Sequence, residues 1–442
     1  MIKKLFLLLL VLSLFACGGG TPGGEGPGGE GPGGENPGGG TPGGGGTPGG
    51  GGGDDGIIIP GKNGINEGKE YGWDKGNLGP LTATITGNVT SAQYFYAKGL
   101  DAGWNAGDTL DGSATDETAW GKPMLNQALF EGVKVAGFTI VRIPITWGSN
   151  TAQQATRLAR VKEVVGFAHT AGLAVIINTH HDNGTFNILT ASDNPSQNTT
   201  ITAQFTALWT SIANEFKEYG EWLIFEPLNE PRVQTVGTTY WDGAPTGKEG
   251  VYDIINQWNQ VFVNAVRATG GNNAHRFLLV KGYAAKPFLV IDYTEIPTDT
   301  SPNKLILDFH YYEPGGLCLQ GTTINWNAED NGSKMEYDFD DFYFAFKDLG
   351  LPVVIGECGT TWQGARTGAQ ATAANASRLS YMEHLGRTAK TYGFTPILWD
   401  NGNHLSTRND ENSGLFNRDT GVPNSNESTD AINALLKGAR GD

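Results

Sequence analysis

The feature that most constrains the fold is a series of short apolar runs, from residue 98 onward, separated by stretches with helical periodicity. This alternation predicts parallel strands joined by helices. Eight such strands are enough to close a barrel. The predicted strands lie at 99–105, 139–145, 174–179, 222–229, 276–283, 304–311, 353–357 and 394–399. We therefore predict an α/β fold, a (β/α)8 TIM barrel, over residues 98–440.

Helices between the strands are recognised by apolar residues that recur on one face. The clearest example follows the second predicted strand, where one face contains Ala155, Leu158, Val161, Val164, Val165 and Ala168.

The first 97 residues divide into three segments. Residues 1–16 have two early lysines and a short apolar core, which is typical of an export signal and too short for a membrane span. Residues 17–54 are a glycine- and proline-rich repeat without apolar anchors, which predicts a disordered, flexible linker. Residues 55–97 form an N-terminal extension, in which the alternating stretch 81–90 predicts one or two short strands. We expect it to pack against the barrel floor, with a separate small β-module as the alternative.

Two of the predicted strands end in a glutamate. The run WLIFEPLNEPR leads to Glu230, and PVVIGECGTT leads to Glu357. The carboxyl ends of barrel strands are where active sites are built. Paired carboxylates at such ends suit a retaining glycosidase, in which one acid protonates the leaving oxygen and the other attacks the sugar. The alternative is that each acid is an ordinary salt-bridge partner at the end of a strand.

The chain resembles glycoside hydrolase family 5 of clan A, which includes many bacterial endoglucanases. The resemblance rests on the NEP triplet that contains Glu230, on the GE pair that ends in Glu357, and on further blocks of matching sequence. Those blocks are GWNAGDTLDG, ETAWGKP, VRIPITW, INTHHD, FHYYEP and LWDNGN. Within the family, the match leans toward endo-β-1,4-glucanases, lichenases and xyloglucanases.

The resemblance implies a role for each residue of the site. Glu230 is the general acid and base, Glu357 is the nucleophile, and Asn229 holds the 2-hydroxyl of the sugar. Arg142 is a charge in an apolar strand and needs a carboxylate partner, for which Glu357 is the candidate. The remaining predicted substrate-binding residues are His180, His181, His310, Tyr312 and Trp399, with His181 the most structural of them. Trp147, Trp326 and Trp362 are candidates for either neighbouring subsites or core packing.

Other kinds of chemistry have weaker support in the sequence. Histidines at strand ends can bind zinc, but no HExxH-type spacing is present, so we predict no metal. No phosphate-binding or dinucleotide-binding fingerprint stands in the required context, so we predict no cofactor. A net charge of −16 argues against nucleic acid as a partner. Cys318 and Cys358 are either a disulfide or two buried thiols.

We therefore predict a retaining endo-β-1,4-glucanase, a cellulase, that acts on β-glucan as a monomer. The alternatives are a xyloglucanase, a mixed-linkage β-glucanase, a β-mannanase, a transglycosylase and a surface glycan-binding lipoprotein without turnover. Residues 14–17 resemble a bacterial lipobox, which implies that Cys17 is lipidated. An exported, lipid-anchored and surface-exposed protein is then expected, with the membrane as a partner only through the lipid. Plain secretion is the alternative.

Overall fold

The computed structural model of the protein describes residues 76–362, 366–404 and 412–441. The predicted export signal (1–16), Cys17 and the predicted linker (17–54) lie outside the described residues. The first part of the predicted extension (55–97) lies outside them as well. These assignments therefore stay predictions.

The described residues contain ten strands and a set of connecting helices. The strands are β1 (Gly103–Asn105), β2 (Ile140–Ile143), β3 (Ala174–Asn178), β4 (Leu223–Glu226), β5 (Gln234–Thr235), β6 (Thr238–Thr239), β7 (Leu278–Val280), β8 (Leu305–Tyr311), β9 (Val353–Cys358) and β10 (Phe394–Leu398). The helices are α1 (Ser91–Lys98), α2 (Gln127–Val135), α3 (Thr151–Thr170), α4 (Ile188–Asp193), α5 (Pro195–Glu215), α6 (Gly250–Ala268), α7 (Pro287–Tyr293), α8 (Gly315–Cys318), α9 (Ala328–Asn331), α10 (Ser333–Phe346), α11 (Gly368–Tyr392) and α12 (Asn426–Arg440). None of the helices in the described ranges is both long and apolar enough to cross a membrane.

Eight of these strands close into a parallel barrel in the order β1-β10-β9-β8-β7-β4-β3-β2. All eight predicted strands are confirmed, most with trimmed ends. Their residues are buried on both faces, which explains the continuous apolar runs in the sequence. The other two strands, β5 and β6, form a small antiparallel hairpin in the connection after β4. The predicted (β/α)8 fold is therefore the observed one.

The α3 helix shows how closely periodicity predicts the buried face. Val161, Val164, Val165 and Ala168 are buried against the barrel as predicted. Ala155 is exposed, and Arg157, one residue before the predicted Leu158, is buried in its place. The second turn of the helix therefore contacts the loop after β1 through the long side chain of Arg157, which donates to the carbonyl of Ser113.

The segment before β1 lies across the amino-terminal ends of the strands. Ala83 N–H donates to the carbonyl of Glu218 at 3.2 Å, and Ile85 N–H donates to Asn272 Oδ1 at 2.8 Å. Among the described residues, the strand prediction for residues 81–90 is wrong, because the stretch forms only one isolated bridge there, between Thr82 and Tyr219. A single bridge provides no neighbouring strand, so alternation alone did not produce a sheet.

Arg276 organises the same floor of the barrel from inside. Its side chain is fully buried, and the N–H groups of its guanidinium find five acceptors at 2.7–3.0 Å. The acceptors are Asn273 Oδ1 and the carbonyls of Phe216, Tyr219, Gly220 and Leu223. Burial, with the charge of Arg267 second, lowers the pKa of Arg276 to about 9. The arginine therefore ties together the chain turn between α5 and β4 through four carbonyls, of which those of Phe216 and Gly220 also accept backbone N–H groups.

We expect Arg276→Met to lower the free energy of unfolding by at least about 3 kcal/mol, because several buried acceptors lose their donors at once. The measurement is urea unfolding followed by tryptophan fluorescence. Arg387→Met is the matched control, since the Arg387 side chain is 63% exposed, and its effect should stay within about 0.5 kcal/mol. Equal urea midpoints for the two variants would contradict the role of Arg276.

Candidate active site

The predicted site residues meet at the carboxyl ends of the barrel strands. Arg142 lies on β2 and Glu357 on β9, while Asn229 and Glu230 follow β4. The others lie at or just after strands β3, β8 and β10: His180, His181, His310, Tyr312 and Trp399. The contacts described below join all nine side chains into one cluster.

Arg142 is the centre of the cluster and is completely buried. Its Nε and Nη2 donate to the two carboxylate oxygens of Glu226 at 2.7 and 2.8 Å, a bidentate pair. Its Nη1 donates to Glu357 Oε1 at 2.9 Å, as predicted from the sequence. The remaining contacts are to Asn229 Oδ1 at 2.6 Å and Asn105 Oδ1 at 3.0 Å. One guanidinium therefore fixes two carboxylates and two amides.

Glu357 is held in place by groups that favour its ionised form. Besides Arg142, the hydroxyl of Tyr312 donates to Glu357 Oε2 at 3.3 Å, and His180 Nε2 lies 3.8 Å from Oε1. Burial raises the pKa of Glu357 overall, and the charge and hydrogen bond of Arg142 limit that rise. The carboxylate therefore has a cation and a donor directed at it, as an anionic nucleophile requires.

Glu230 lies in a different environment. Burial, with the charge of Glu357 second, raises the pKa of Glu230 to about 8. Its Oε1 lies 2.8 Å from His310 Nδ1, and its Oε2 accepts from Arg232 Nη1 at 3.1 Å. The Arg232 guanidinium stacks on the ring of Trp241 at 3.7 Å. Glu230 is therefore the carboxyl group that keeps a proton near neutral pH.

The two carboxyl groups are close together. One oxygen of Glu230, one oxygen of Glu357 and a ring nitrogen of His310 all lie within 4.8 Å of one another. Oxygen atoms this close suit the shorter carboxyl spacing of retaining glycosidases, about 5–5.5 Å, better than the roughly 6.5–9.5 Å of inverting ones. A protonated acid and an ionised nucleophile at this distance can carry out a double displacement at one carbon atom.

A strand irregularity sets this arrangement. Between β8 and β9, Phe309 pairs with Ile355 and His310 pairs with Glu357, so Gly356 is the extra residue of a bulge. A Cβ atom on Gly356 would lie 2.3 Å from Asp308 Oδ1, so only glycine fits there without a shift. The bulge places Glu357 opposite His310 and directs both side chains into the barrel mouth.

Two groups of side chains in the described residues have the proximity needed for a metal ion. The first, Glu230, His310 and Glu357, has the cations Arg142 and Lys281 beside it, which oppose the binding of a further positive charge. The second consists of Asp111, His180 and His181. In that group, the oxygens of Asp111 accept backbone N–H groups, and both ring nitrogens of His180 contact asparagine amides. The expectation of no metal stays a prediction.

The aromatic residues of the site separate into three groups. Trp399 is half-buried and lies parallel to His180, with ring centroids 5.8 Å apart. Trp147 and Trp326 are core residues, and Trp362 is half-buried beneath Arg378.

The sequence analysis missed two exposed rings at the mouth of the barrel, Trp120 beside His181 and Trp241 beneath Arg232. His181 itself is exposed, which favours a surface contact over a structural role.

Sequence reasoning also missed three charged residues under the site. Glu226, Lys281 and Asp308 are fully buried next to Arg142 and His310. The signal was available, since each interrupts or ends an apolar strand as Arg142 does. Their mutual contacts depend on strand register, which the sequence does not display.

The two cysteines in the described residues are free buried thiols, so the disulfide alternative is wrong. Burial raises the pKa of Cys318 to about 12, which keeps that thiol protonated and unreactive.

Comparison with known proteins agrees with this geometry. The sequence model of the family Cellulase (glycosyl hydrolase family 5) matches residues 100–405. The chain is 36% identical to Endoglucanase B of Clostridium cellulovorans over 343 residues, which is 75% of this chain and 72% of that protein. A GH5-4 broad specificity endoglucanase from Bacteroides salanitronis superposes with a TM-score of 0.71 and 34% identity, covering 82% of this chain and 98% of that one. A Bacteroides ovatus GH5 xyloglucanase in complex with a XXXG heptasaccharide has a TM-score of 0.70 and 29% identity, over 84% and 81% of the two chains.

The Arg142–Glu226 pair predicts a recovery of stability in a double variant. We expect Arg142→Met to cost about 3–5 kcal/mol, because a buried carboxylate loses its bidentate partner. Lys281, 3.1 Å from Glu226 Oε1, cannot replace the bidentate pair. Glu226→Gln in the same chain removes this under-compensated charge, so the double variant should be more stable than Arg142→Met alone. Urea unfolding of the four proteins in this cycle measures the coupling. If the losses of unfolding free energy in the two single variants simply add in the double variant, the pairing of Arg142 with Glu226 is contradicted.

Proposed function

Because the chain belongs to glycoside hydrolase family 5, we propose that it is a retaining endo-β-1,4-glucanase. The observation that supports this most directly is the pair of carboxyl groups of Glu230 and Glu357, which have one oxygen each within 4.8 Å of the other and lie in unlike environments. One is placed to hold a proton and the other to hold a negative charge.

In the first half of the reaction, Glu230 protonates the glycosidic oxygen as the bond to the anomeric carbon breaks. Glu357 attacks that carbon from the other side and forms a covalent glycosyl-enzyme. Arg142 and Tyr312 keep Glu357 ionised and fix the attacking oxygen. This step needs the proton on Glu230, so kcat/KM should fall as the pH rises through about 8, the pKa of Glu230.

In the second half, Glu230 acts as a base. Forming the ester bond removes the negative charge of Glu357, which is one of the causes that raise the pKa of Glu230. The pKa of Glu230 then falls, and the ionised carboxylate accepts hydrogen bonds from His310 and Arg232. Glu230 takes a proton from water, and the water oxygen attacks the anomeric carbon and releases Glu357.

The sugar contacts follow from the positions of the polar and aromatic groups. Asn229 has its Oδ1 held by Arg142 and its Nδ2 3.2 Å from His180 Nε2, so one N–H of Nδ2 remains for a 2-hydroxyl on the reacting sugar. Trp399 provides a ring face beneath that sugar. Trp120 and Trp241 are exposed on loops after β1 and β4, strands that are not neighbours in the barrel. Sugar-binding surfaces at separate parts of the barrel mouth suit cleavage of bonds inside a polysaccharide rather than at its end.

The proposed substrates are polymers with a β-1,4-glucan backbone. The relatives include a broad specificity endoglucanase and a xyloglucan-specific endo-β-1,4-glucanase. A panel of carboxymethylcellulose, barley β-glucan, tamarind xyloglucan and glucomannan would therefore name the preferred polymer. Binding without cleavage of any of them would favour the glycan-binding alternative.

We expect Glu230→Ala to lower kcat/KM on carboxymethylcellulose by about 10²–10⁴-fold, and Glu357→Ala to abolish turnover. An aryl cellobioside with a good leaving group needs no acid, so Glu230→Ala should still be glycosylated by it in a burst, whereas Glu357→Ala should not. Glu329→Ala, an exposed glutamate on α9, is the control and should match the wild type. Proton NMR should show the β-anomer first, and an α-anomer would exclude retention.

The location of the enzyme is a separate proposal based on its first residues. The sequence before Cys17 resembles a lipobox, and the glycine-rich stretch that follows it suits a tether between a membrane and a barrel. We propose that the protein is exported and held on the cell surface by lipid on Cys17. The enzyme would then act on polymers outside the cell.

Cys17→Ser should release the protein from the membrane fraction into the soluble or culture fraction, because the acyl chains supply the membrane affinity. Fractionation with immunoblotting measures this, and Cys318→Ser is the control, since that thiol is buried inside the barrel domain. Membrane association of the Cys17→Ser protein equal to that of the wild type would reject the lipid anchor.

A further inference from the structure

Lys281 lies directly below the site and has no role in the reaction as described so far. It follows β7 and is fully buried. Its ammonium group contacts three acceptors, which are Asp308 Oδ2, Glu226 Oε1 at 3.1 Å and His310 Nε2 at 3.2 Å. An ammonium has three N–H donors and no acceptor, so each donor has one partner.

Because one N–H of Lys281 is directed at His310 Nε2, the ring nitrogen that carries the proton of His310 can be deduced. A nitrogen that faces an ammonium N–H must be an acceptor, so Nε2 of His310 is unprotonated. Burial, together with the charges of Lys281 and Arg142, lowers the pKa of His310 well below its usual value, so the ring is neutral. A neutral imidazole has one N–H, which is then on Nδ1. That N–H points at Glu230 Oε1, 2.8 Å away.

We propose that Lys281 is a positioning residue that acts through His310, holding the imidazole in the Nδ1–H tautomer that donates to Glu230. The inference rests on the proposed function of Glu230 as acid and base. An N–H donor on Oε1 stabilises the carboxylate form, which is the form that must accept a proton from water in the second half of the reaction. Lys281 therefore supports the base step without touching the substrate.

The other tautomer is accessible if the lysine is removed. Asp308 Oδ2 lies 3.7 Å from His310 Nε2, near enough to accept an N–H from Nε2 after a small shift. Nδ1 would then be an acceptor and could bond only to a protonated Glu230. The Nδ1–H tautomer thus depends on the ammonium group between the imidazole and Asp308.

The charge of Lys281 acts in the same direction. It lowers the pKa of both Glu230 and Glu357, whereas Asp308 is not among the main groups that shift either pKa. Removing the lysine should therefore raise the pKa of both carboxyl groups, and altering Asp308 should not. This difference provides a matched control inside the same buried cluster.

The first test compares pH profiles of kcat/KM for wild type, Lys281→Met and Asp308→Asn on a soluble β-glucan. In Lys281→Met, we expect the basic limb, the fall of kcat/KM at high pH, to move up by about one pH unit or more. Both the change of His310 tautomer and the loss of the Lys281 charge favour protonated Glu230. Asp308→Asn breaks the same cluster but keeps the Lys281–His310 contact, so its basic limb should stay within about 0.3 pH units of the wild type. Equal shifts, or no shift, in the two variants would overturn the proposal.

The second test isolates the base step with an aryl cellobioside and azide. Azide attacks the anomeric carbon of the glycosyl-enzyme and displaces the Glu357 carboxylate, forming a glycosyl azide without any proton transfer. Azide should therefore increase turnover of Lys281→Met several-fold and leave the wild type and Asp308→Asn unchanged. An enzyme limited by misfolding would not respond, and the absence of a response would count against the proposal.

The third test needs no folded variant of Lys281. Nitrogen NMR of wild-type protein labelled with 15N-histidine distinguishes the two tautomers, and the His310→Gln spectrum identifies the signals of His310. We expect a protonated Nδ1 and an unprotonated Nε2, and a protonated Nε2 would overturn the proposal. Failure of the proposed function itself looks different, since the wild type would then cleave no β-glucan while the tautomer assignment stood.

Discussion

The active site depends on one buried arginine that bonds to two carboxylates from different strands. Arg142 takes Glu226 in a bidentate pair and Glu357 through its remaining amino group. Charges are stable inside a barrel only when each is paired and hydrogen-bonded. The position of Glu357 therefore depends on that of Glu226, because Arg142 bonds to both. Glu226 itself lies beneath the site, next to Arg142. Lys281 extends the same arrangement to Asp308 and His310.

Much of this architecture could be predicted from the sequence because it depends on local patterns. Apolar runs of strand length gave all eight barrel strands, and acids at their ends gave Glu230 and Glu357. Arg142 was recognisable as a charge in an apolar strand. These signals are strong because the interior of a parallel barrel excludes polar residues unless they have a purpose.

The rest depended on contacts between residues far apart in the chain. Glu226 is the main partner of Arg142, but Glu357 was the obvious candidate because it ends a strand in a recognised motif. The pairing of His310 with Glu357 arises from a bulge at Gly356, which shifts the register by one residue. Residues 81–90 alternate like a strand, yet none of the strands in the described part of the chain lies beside them to complete a sheet. Trp147 and Trp326 look like sugar-binding residues in the sequence, but the loops that contain them turn their rings into the core.

The hairpin of β5 and β6 is fastened at its base and free at its tip. The hydroxyl of Tyr283 accepts the N–H of Val233 and donates to the carbonyl of Tyr240, which closes the base. Val236, at the turn, is fully exposed. Residues can therefore be inserted or removed at the turn without moving Glu230 or the charges beneath it. The length of this hairpin can therefore change during evolution while the reacting groups before it stay in place.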